Sequence, residues 1–208
     1  MPVKLEQLDW IEFGKLVPKK MDTVILPVGT VEAHGVISLS TDTLIPLYIA
    51  EQIADKFGAI IAPPIHYGIT RSMYGFPGSV TVSSETFQKY ITEILFSLAD
   101  KQFRKIVIIN GHGGHIDELK ISALKINQER KVKVAVVHWW VLCEDVVQEV
   151  YGQTGGHAAL DETAAVLVIN KDYVYEKNCK KSLNYVARKG LSVFPSPQPI
   201  LLYKEGEG

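Results

Sequence analysis

The stretch GTVEAHGVISLSTDT, residues 29–43, contains three side chains that bind metal ions well, Glu32, His34 and Asp42. It lies between a short apolar run and a helical pattern. Because alternate residues of an extended chain project to the same face, Glu32 and His34 are expected to point the same way. Gly35 permits a sharp turn that brings Asp42 back toward them. Two carboxylates and an imidazole suit Zn²⁺, Mn²⁺ or Fe²⁺ better than Ca²⁺ or Mg²⁺.

Composition limits the classes of protein to which the chain can belong. Its 208 residues allow one domain with a sizeable core, and 47% hydrophobic with 22% charged residues is typical of a soluble globular protein. A net charge of −1 gives no general attraction to nucleic acid or an anionic membrane, so we expect neither as a partner. No apolar run could span a bilayer, and the first ten residues lack a signal-peptide pattern. Cys143 and Cys179 are far apart, which favours reduced thiols in a cytoplasmic protein.

Apolar runs alternate with helical patterns along the chain. Short continuous apolar runs predict buried strands at residues 24–28, 59–62, 105–110 and 132–137. Helical spacing predicts helices at residues 5–16, 43–57, 84–103, 116–129, 141–150 and 158–169. This alternation predicts an α/β fold, a single three-layer α/β/α domain over residues 1–208 with a mostly parallel sheet. Residues 189–208 contain three prolines and are expected to form an irregular tail, whose apolar residues 200–203 favour contact with a partner chain.

A further candidate ligand follows the third predicted strand, in the loop GHGGH that begins at Gly111. In an open α/β sheet, ligands bind outside the carboxyl ends of the strands. His112 is therefore expected near the three ligands of residues 29–43, since both loops leave parallel strands at the same edge. A phosphate-binding loop is the competing interpretation of these glycines. The loop lacks the lysine and the glycine order of the known phosphate-binding motifs.

A third cluster, GGHAALDET, occupies residues 155–163. His157 precedes a predicted helix, and Glu162 follows five residues later, about one and a half helical turns. Both side chains can reach the site if the start of this helix points toward it. In the alternative interpretation, Asp161 and Glu162 only stabilise the helix start through its dipole. Trp139 follows the fourth predicted strand and is equally suited to walling a pocket for a flat substrate or to filling the core.

The three clusters together resemble the creatininase family of metal-dependent amidohydrolases. The family patterns G-[ST]-x-E-x-H-G, T-D-T, N-G-H-G-G-N and H-A-G-x-x-E-T correspond to residues 29–35, 41–43, 110–115 and 157–163. The resemblance implies a single α/β domain and two divalent metal ions per subunit, Zn, Mn or Fe. It also implies a homo-oligomer, often a hexamer.

The resemblance implies a role for each ligand. Asp42 would bridge the two ions, with Glu32 and His112 completing one site. His34 and a further carboxylate, most simply Glu162, would complete the other site.

Departures from the family pattern bear on the substrate. Creatinine-hydrolysing members have a tyrosine and a ligand glutamate directly after the histidine of the third cluster, where this chain has Gly113 and Gly114. The remaining carboxylate must come from elsewhere, and Glu118 competes with Glu162 for that role. His115 replaces the usual asparagine. Creatinine itself is therefore not the expected substrate.

The hypothesis that follows is hydrolysis of a C–N bond in a small amide, cyclic amide or formamide by a metal-bound hydroxide. His157 would donate a proton to the leaving nitrogen, which suits a histidine of ordinary pKa, and Glu162 is the second catalytic candidate. The candidate substrate-binding residues are Ser79, Gly113 and Trp139. A deformylase or peptidase would use the same machinery. The alternative from another class is a non-catalytic metal- or nucleotide-binding module within an assembly.

Overall fold

A four-stranded parallel sheet forms the centre of the structure, a computed structural model that describes residues 1–179. Strands β1 (Thr23–Val28), β2 (Ala59–Ile61), β3 (Lys105–Asn110) and β4 (Lys133–His138) lie in the order β2-β1-β3-β4. Every neighbouring pair is parallel, which confirms the predicted sheet. The chain order reverses direction at β1 and β3, and ligands of open α/β sheets bind at the carboxyl edge of such a point.

Helices cover both faces of the sheet, so the predicted α/β/α layering is confirmed. Among residues 1–179 they are α1 (Trp10–Leu16), α2 (Thr41–Phe57), α3 (Ser84–Asp100), α4 (Ile116–Arg130), α5 (Trp139–Leu142), α6 (Glu144–Tyr151) and α7 (Leu160–Ile169). Helices α3 and α4 pack on one face. Helix α2 packs on the other face and is itself contacted by α7.

The side chains of β1 alternate between the two cores. Val24 and Leu26 pack toward α3 and α4, whereas Ile25 packs against alanines of α2. All three are at most 1% exposed. Burial on both faces explains why this strand is a continuous apolar run instead of an alternating one.

Two predicted helices are interrupted. The pattern at residues 5–16 forms a 3₁₀ turn, Leu5–Gln7, followed by α1. Asp9 separates them because its side chain accepts hydrogen bonds from the backbone N–H groups of Ile11 and Glu12, which starts a new helix. The predicted helix at residues 141–150 is likewise divided into α5 and α6, with Cys143 between them.

Residues 180–208 lie outside the described part of the chain. The irregular tail at residues 189–208, and the extension of one domain over all 208 residues, therefore stay predictions. Of the helices within residues 1–179, none combines the length and apolar character needed to cross a membrane.

The end of β3 lies unusually close to the start of α2. A Cβ atom added at Gly111 would lie 1.9 Å from the carbonyl oxygen of Asp42 and 2.8 Å from Cγ of Pro46. The Gly111 N–H also donates a 2.8 Å hydrogen bond to the carbonyl of Val28, the last residue of β1. Glycine at this position therefore allows the loop that contains His112 to pass beside Asp42.

Replacing Gly111 with alanine should separate β3 from α2, because the contacting atoms of Asp42 are backbone and cannot rotate away. We expect the G111A variant to lose about 1–3 kcal/mol of unfolding free energy, as overpacked positions do. Urea denaturation measures this loss. The matched control is Gly113→Ala, where an added Cβ meets nothing within 4 Å, and a change of less than about 0.5 kcal/mol is expected. Equal stability of the two variants would contradict the close approach.

Candidate metal centre

Six buried or half-buried ionisable side chains meet beyond the carboxyl ends of β1 and β3. They come from four separate parts of the chain: the loop after β1, the first turn of α2, the loop after β3 and the start of α7. The residues are Glu32, His34, Asp42, His112, His157 and Glu162. Strand order explains the meeting, since neighbouring parallel strands place their following loops at one edge.

One set of ligand atoms consists of Glu32, Asp42 and His112, here named the His112 group. Its ligand atoms all lie within 4.8 Å of one another. Nδ1 of His112 is 3.2 Å from Oε1 of Glu32 and 3.0 Å from Oδ2 of Asp42. This spacing is compatible with three atoms around a single cation.

A second set consists of His34, Asp42 and Glu162, here named the His34 group. Nε2 of His34 is 3.0 Å from Oδ1 of Asp42 and 3.8 Å from Oε2 of Glu162. Asp42 therefore faces His34 with one carboxylate oxygen and His112 with the other. This is the arrangement that a carboxylate bridging two cations requires.

Backbone carbonyl groups orient both histidines. Nδ1 of His34 donates to the carbonyl of Glu32 over 3.0 Å, which leaves Nε2 facing the carboxylates. Nε2 of His112 donates to the carbonyl of Ile69 over 2.8 Å, which leaves Nδ1 facing them. A carbonyl oxygen only accepts hydrogen bonds, so the proton position on each ring is fixed. Metal-binding histidines in proteins are commonly held in this way.

The buried carboxylates suit a divalent cation. Glu32 and Asp42 are 1% and 2% exposed, and Oε2 of Glu32 accepts no hydrogen bond from any residue in 1–179. An unsatisfied buried acceptor costs free energy, which a bound cation would offset. Carboxylate and imidazole ligands together fit zinc, manganese or iron.

Mutual electrostatics shift the pKa values of the ligands. Burial alone would lower the pKa of His34, but the neighbouring carboxylates, Asp42 above all, together outweigh this effect and the pKa rises to about 10. The pKa of His112 is raised against its burial in the same way. Burial opposes ionisation of Asp42, yet the two imidazoles hold its pKa well below the usual range. Burial also raises the pKa of Glu162 to about 8. Without a cation, His34, His112 and Glu162 therefore hold protons at neutral pH, and a bound cation would displace these protons.

His157 forms a third set of possible ligands with Glu32 and His34, and its protonation state differs from that of the other two histidines. Its Nε2 donates to the carbonyl of Ala33 over 2.9 Å, and its Nδ1 is 3.6 Å from Oε1 of Glu32. Burial, reinforced by the neighbouring His34, lowers the pKa of His157 to about 4. The expectation of an ordinary pKa was wrong. At neutral pH the ring is neutral and Nδ1 is a proton acceptor, so His157 must receive a proton before it can donate one.

The backbone before α7 holds Glu162 in place. Ala158 adopts a left-handed conformation with φ of +50°, which costs a residue with a Cβ atom about 1–2 kcal/mol. In this conformation its N–H donates to Oε2 of Glu162 over 2.6 Å. Backbone strain of this kind concentrates at functional sites.

The competing carboxylate, Glu118, lies in different surroundings. Its Oε1 accepts hydrogen bonds from Ser84 and, over 3.3 Å, from Nη2 of Arg71. Among the residues in 1–179 it belongs to neither ligand group. The geometry favours Glu162 over Glu118, although the identity of the last ligand stays a prediction.

The predicted substrate-binding residues lie in three different settings. Oγ of Ser79 accepts the N–H of Ala33 over 2.9 Å, so this hydroxyl supports the loop between two ligands. Gly113 begins a 3₁₀ turn with open space beside it. Trp139 is 7% exposed and packs with Ile37, Ile45 and Val166, which matches the alternative role of filling the core. Contact of these residues with a substrate stays a prediction.

The sequence did not reveal the supports of His112. Ile69 has no polar side chain, and its role depends on its backbone carbonyl. The Asn110 side chain donates to the carbonyl of His112 over 2.8 Å. The position of Asn110, directly before GHGGH, was the one available signal for it.

Comparison with known proteins identifies a family for this chain. A family model described as "Creatininase: Creatinine amidohydrolase" matches residues 6–196. A mycofactocin precursor peptide peptidase from Mycolicibacterium smegmatis is 32% identical over 158 residues, which are 73% of this chain and 59% of the relative. Creatinine amidohydrolase from Pseudomonas putida is 27% identical over 188 residues, which are 81% of this chain and 72% of the relative. The chain thus spans less than two thirds of the first relative.

Solved creatininase structures share the fold. A crystal structure of creatinine amidohydrolase superposes with a TM-score of 0.83 at 23% identity, covering 99% of this chain and 86% of that chain. A structure named "Creatininase Mn" superposes with a TM-score of 0.81 at 23% identity, covering 99% and 89%. These likenesses establish the fold, and the family match extends over most of the chain. The predicted resemblance is therefore confirmed, and the chain belongs to the creatininase family.

Proposed function

We propose that this chain is a dinuclear metal-dependent hydrolase that cleaves a C–N bond of a small amide, a cyclic amide or a formamide. One observation supports this above all: Asp42 directs one oxygen to each of two ligand groups, whose other members differ. The names of the relatives, an amidohydrolase and a peptidase, both denote cleavage of a C–N bond.

In this proposal the two ions share Asp42. The His112 group would bind one ion and the His34 group the other, with Zn²⁺, Mn²⁺ or Fe²⁺ as the candidates. Solved relatives named "Zn-Zn type" and "Creatininase Mn" support the first two. When bound, such a pair of ions would lower the pKa of a water molecule and polarise the substrate carbonyl.

His157 would move the proton during hydrolysis. Its neutral ring offers Nδ1 as the acceptor for a proton from the attacking water, and the same atom then returns that proton to the leaving nitrogen. The Ala33 carbonyl keeps the ring oriented through Nε2. The Glu32 carboxylate, 3.6 Å from Nδ1, would stabilise the transient positive charge. Glu162 is the second candidate, because a pKa of about 8 allows it to hold a proton at neutral pH.

A peptide bond is the second candidate for the scissile bond. The relative at 32% identity is named a precursor peptide peptidase, whereas the creatinine amidohydrolase is 27% identical. The same ligands and the same proton transfer would serve either substrate. A substrate panel must therefore contain short peptides as well as amides, lactams and formylamino compounds.

We also propose that the protein forms a homo-oligomer. Val146 and Val150 lie four residues apart on α6, so they share one face of this helix, and they are 54% and 64% exposed. An apolar stripe of this kind favours contact with another protein surface.

Replacing one carboxylate at a time should distinguish the two proposed metal sites by the number of ions that each variant binds. We expect about two divalent ions per subunit in the wild type after reconstitution and dialysis. Asp42→Ala should lose both ions, since both groups contain Asp42, and Glu162→Gln should lose one. Elemental analysis measures the ratio. Glu118→Gln is the matched control, a buried carboxylate outside both groups, and should retain both ions. Full retention in Asp42→Ala would exclude the shared site.

Turnover should depend on metal and on His157. Treatment with a chelator is expected to abolish hydrolysis across the panel, and Zn²⁺, Mn²⁺ or Fe²⁺ should restore it. His157→Ala should lower kcat by about 10²–10⁴-fold, the range of general acid–base catalysis. Its metal content should stay unchanged, because the two ligand groups do not include His157. A metal-free preparation with full activity would contradict the proposed function.

Metal binding should release protons. At pH 7 the shifted pKa values keep His34, His112 and Glu162 protonated in the metal-free protein, so loading should release about three protons per subunit. Binding should weaken as the pH falls, and proton release should decline as the pH rises through about 8 and then about 10. A pH indicator in weakly buffered solution measures the release. Glu162→Gln should release about two protons fewer, because it lacks the Glu162 proton and, without the ion of the His34 group, keeps the proton on His34. Release that does not vary with pH would contradict these pKa shifts.

A further inference from the structure

Two histidines bind the two backbone polar groups of Ile69. The Ile69 N–H donates to Nε2 of His115 over 3.0 Å, and the Ile69 carbonyl accepts from Nε2 of His112 over 2.8 Å. The opposite nitrogen of the His112 ring, Nδ1, faces Glu32 and Asp42. The backbone of Ile69 therefore connects His115 to the His112 ring, whose direction depends on the Ile69 carbonyl.

His115 is itself rigidly placed. It is completely buried, and its ring stacks on Phe87 with 4.2 Å between centroids and 21° between planes. A backbone N–H can only donate, so Nε2 of His115 is the acceptor and Nδ1 carries the proton. That proton points to Oδ1 of Asn110, 3.3 Å away. The same Asn110 oxygen also accepts the backbone N–H of His112 over 3.2 Å.

The neighbouring backbone is shaped to admit His115. A Cβ atom at Gly68 would lie 2.0 Å from Nε2 of His115 and 2.5 Å from Cε1. Only a glycine allows the ring to reach the next residue, Ile69. The ring of His112 meets the His115 ring edge-on, with centroids 4.8 Å apart.

We propose that His115 is a positioning residue for the His112 group, an inference that rests on the proposed function. His115 holds the backbone N–H of Ile69, and the carbonyl of the same residue holds the Nε2–H of His112, so that Nδ1 of His112 would face one of the two ions. His34 is oriented by a different acceptor, the carbonyl of Glu32. The effect of His115 is therefore confined to one ion.

The decisive variant is His115→Phe, which keeps a flat ring against Phe87 but removes the acceptor for the Ile69 N–H. Stepwise titration of metal-stripped protein with Co²⁺, followed by visible absorption and by chelator competition, gives the affinity for each ion. We expect one ion to bind as in the wild type and the other to bind about 10–100-fold more weakly, the usual cost of losing a support of a metal ligand. His115→Gln retains an acceptor oxygen and should recover part of the lost affinity.

The control is Ser122→Ala, a buried position on α4, the helix that directly follows His115; its hydroxyl contacts Thr92 and the carbonyl of Glu118. It should bind both ions as the wild type does. Equal weakening of both ions in His115→Phe, or wild-type affinity for both, would overturn the positioning role. His115→Leu, which also lacks the acceptor, serves the same purpose if the Phe variant does not fold. A wild type that binds no ion would instead overturn the proposed function.

Discussion

The arrangement of the six site residues depends on one constraint: the negative charge of the buried carboxylates must be balanced by positive charge beside them. Glu32, Asp42 and Glu162 are each less than 10% exposed and lie within one cluster. Carboxylates buried this closely cannot all stay ionised without positive charge beside them. In the protein alone, protons on His34 and His112 provide that charge. Divalent cations would provide it more completely, since each ion contributes two charges at the same place.

The sheet brings these groups together through short connections from adjacent strands. β1 and β3 pair over their full lengths, so Val28 lies opposite Asn110 and the following loops begin side by side. The missing side chain at Gly111 then lets one loop touch the first turn of α2. Asp42 reaches both ligand groups because that turn lies between the two loops. The metal centre is thus a consequence of strand order and of one close backbone contact.

The strands and the meeting of the candidate ligands could be predicted from the sequence, because both follow from the local pattern of residue types. Strands buried on both faces are continuous apolar runs, and ligands that follow parallel strands converge at one edge. Sequence reasoning failed where a distant backbone group decides the outcome. The pKa and the proton position of His157 depend on its burial and on the carbonyl of Ala33, 124 residues earlier in the chain. Likewise, Trp139 was balanced between pocket and core until its packing against Ile37 and Val166 was known.

The sequence therefore shows the candidate metal ligands more directly than it shows the backbone groups that orient them. A ligand must be a histidine or a carboxylate, so its residue type is visible in the sequence. Its direction is set by a peptide group such as that of Glu32 or Ile69, which every residue type except proline can supply in full. His34 and His112 are held by separate carbonyls, so the affinities of the two proposed ion sites could change independently. On the proposed positioning role, a substitution at His115, which is itself no member of either ligand group, would change one site while Asp42 and the other site keep their geometry.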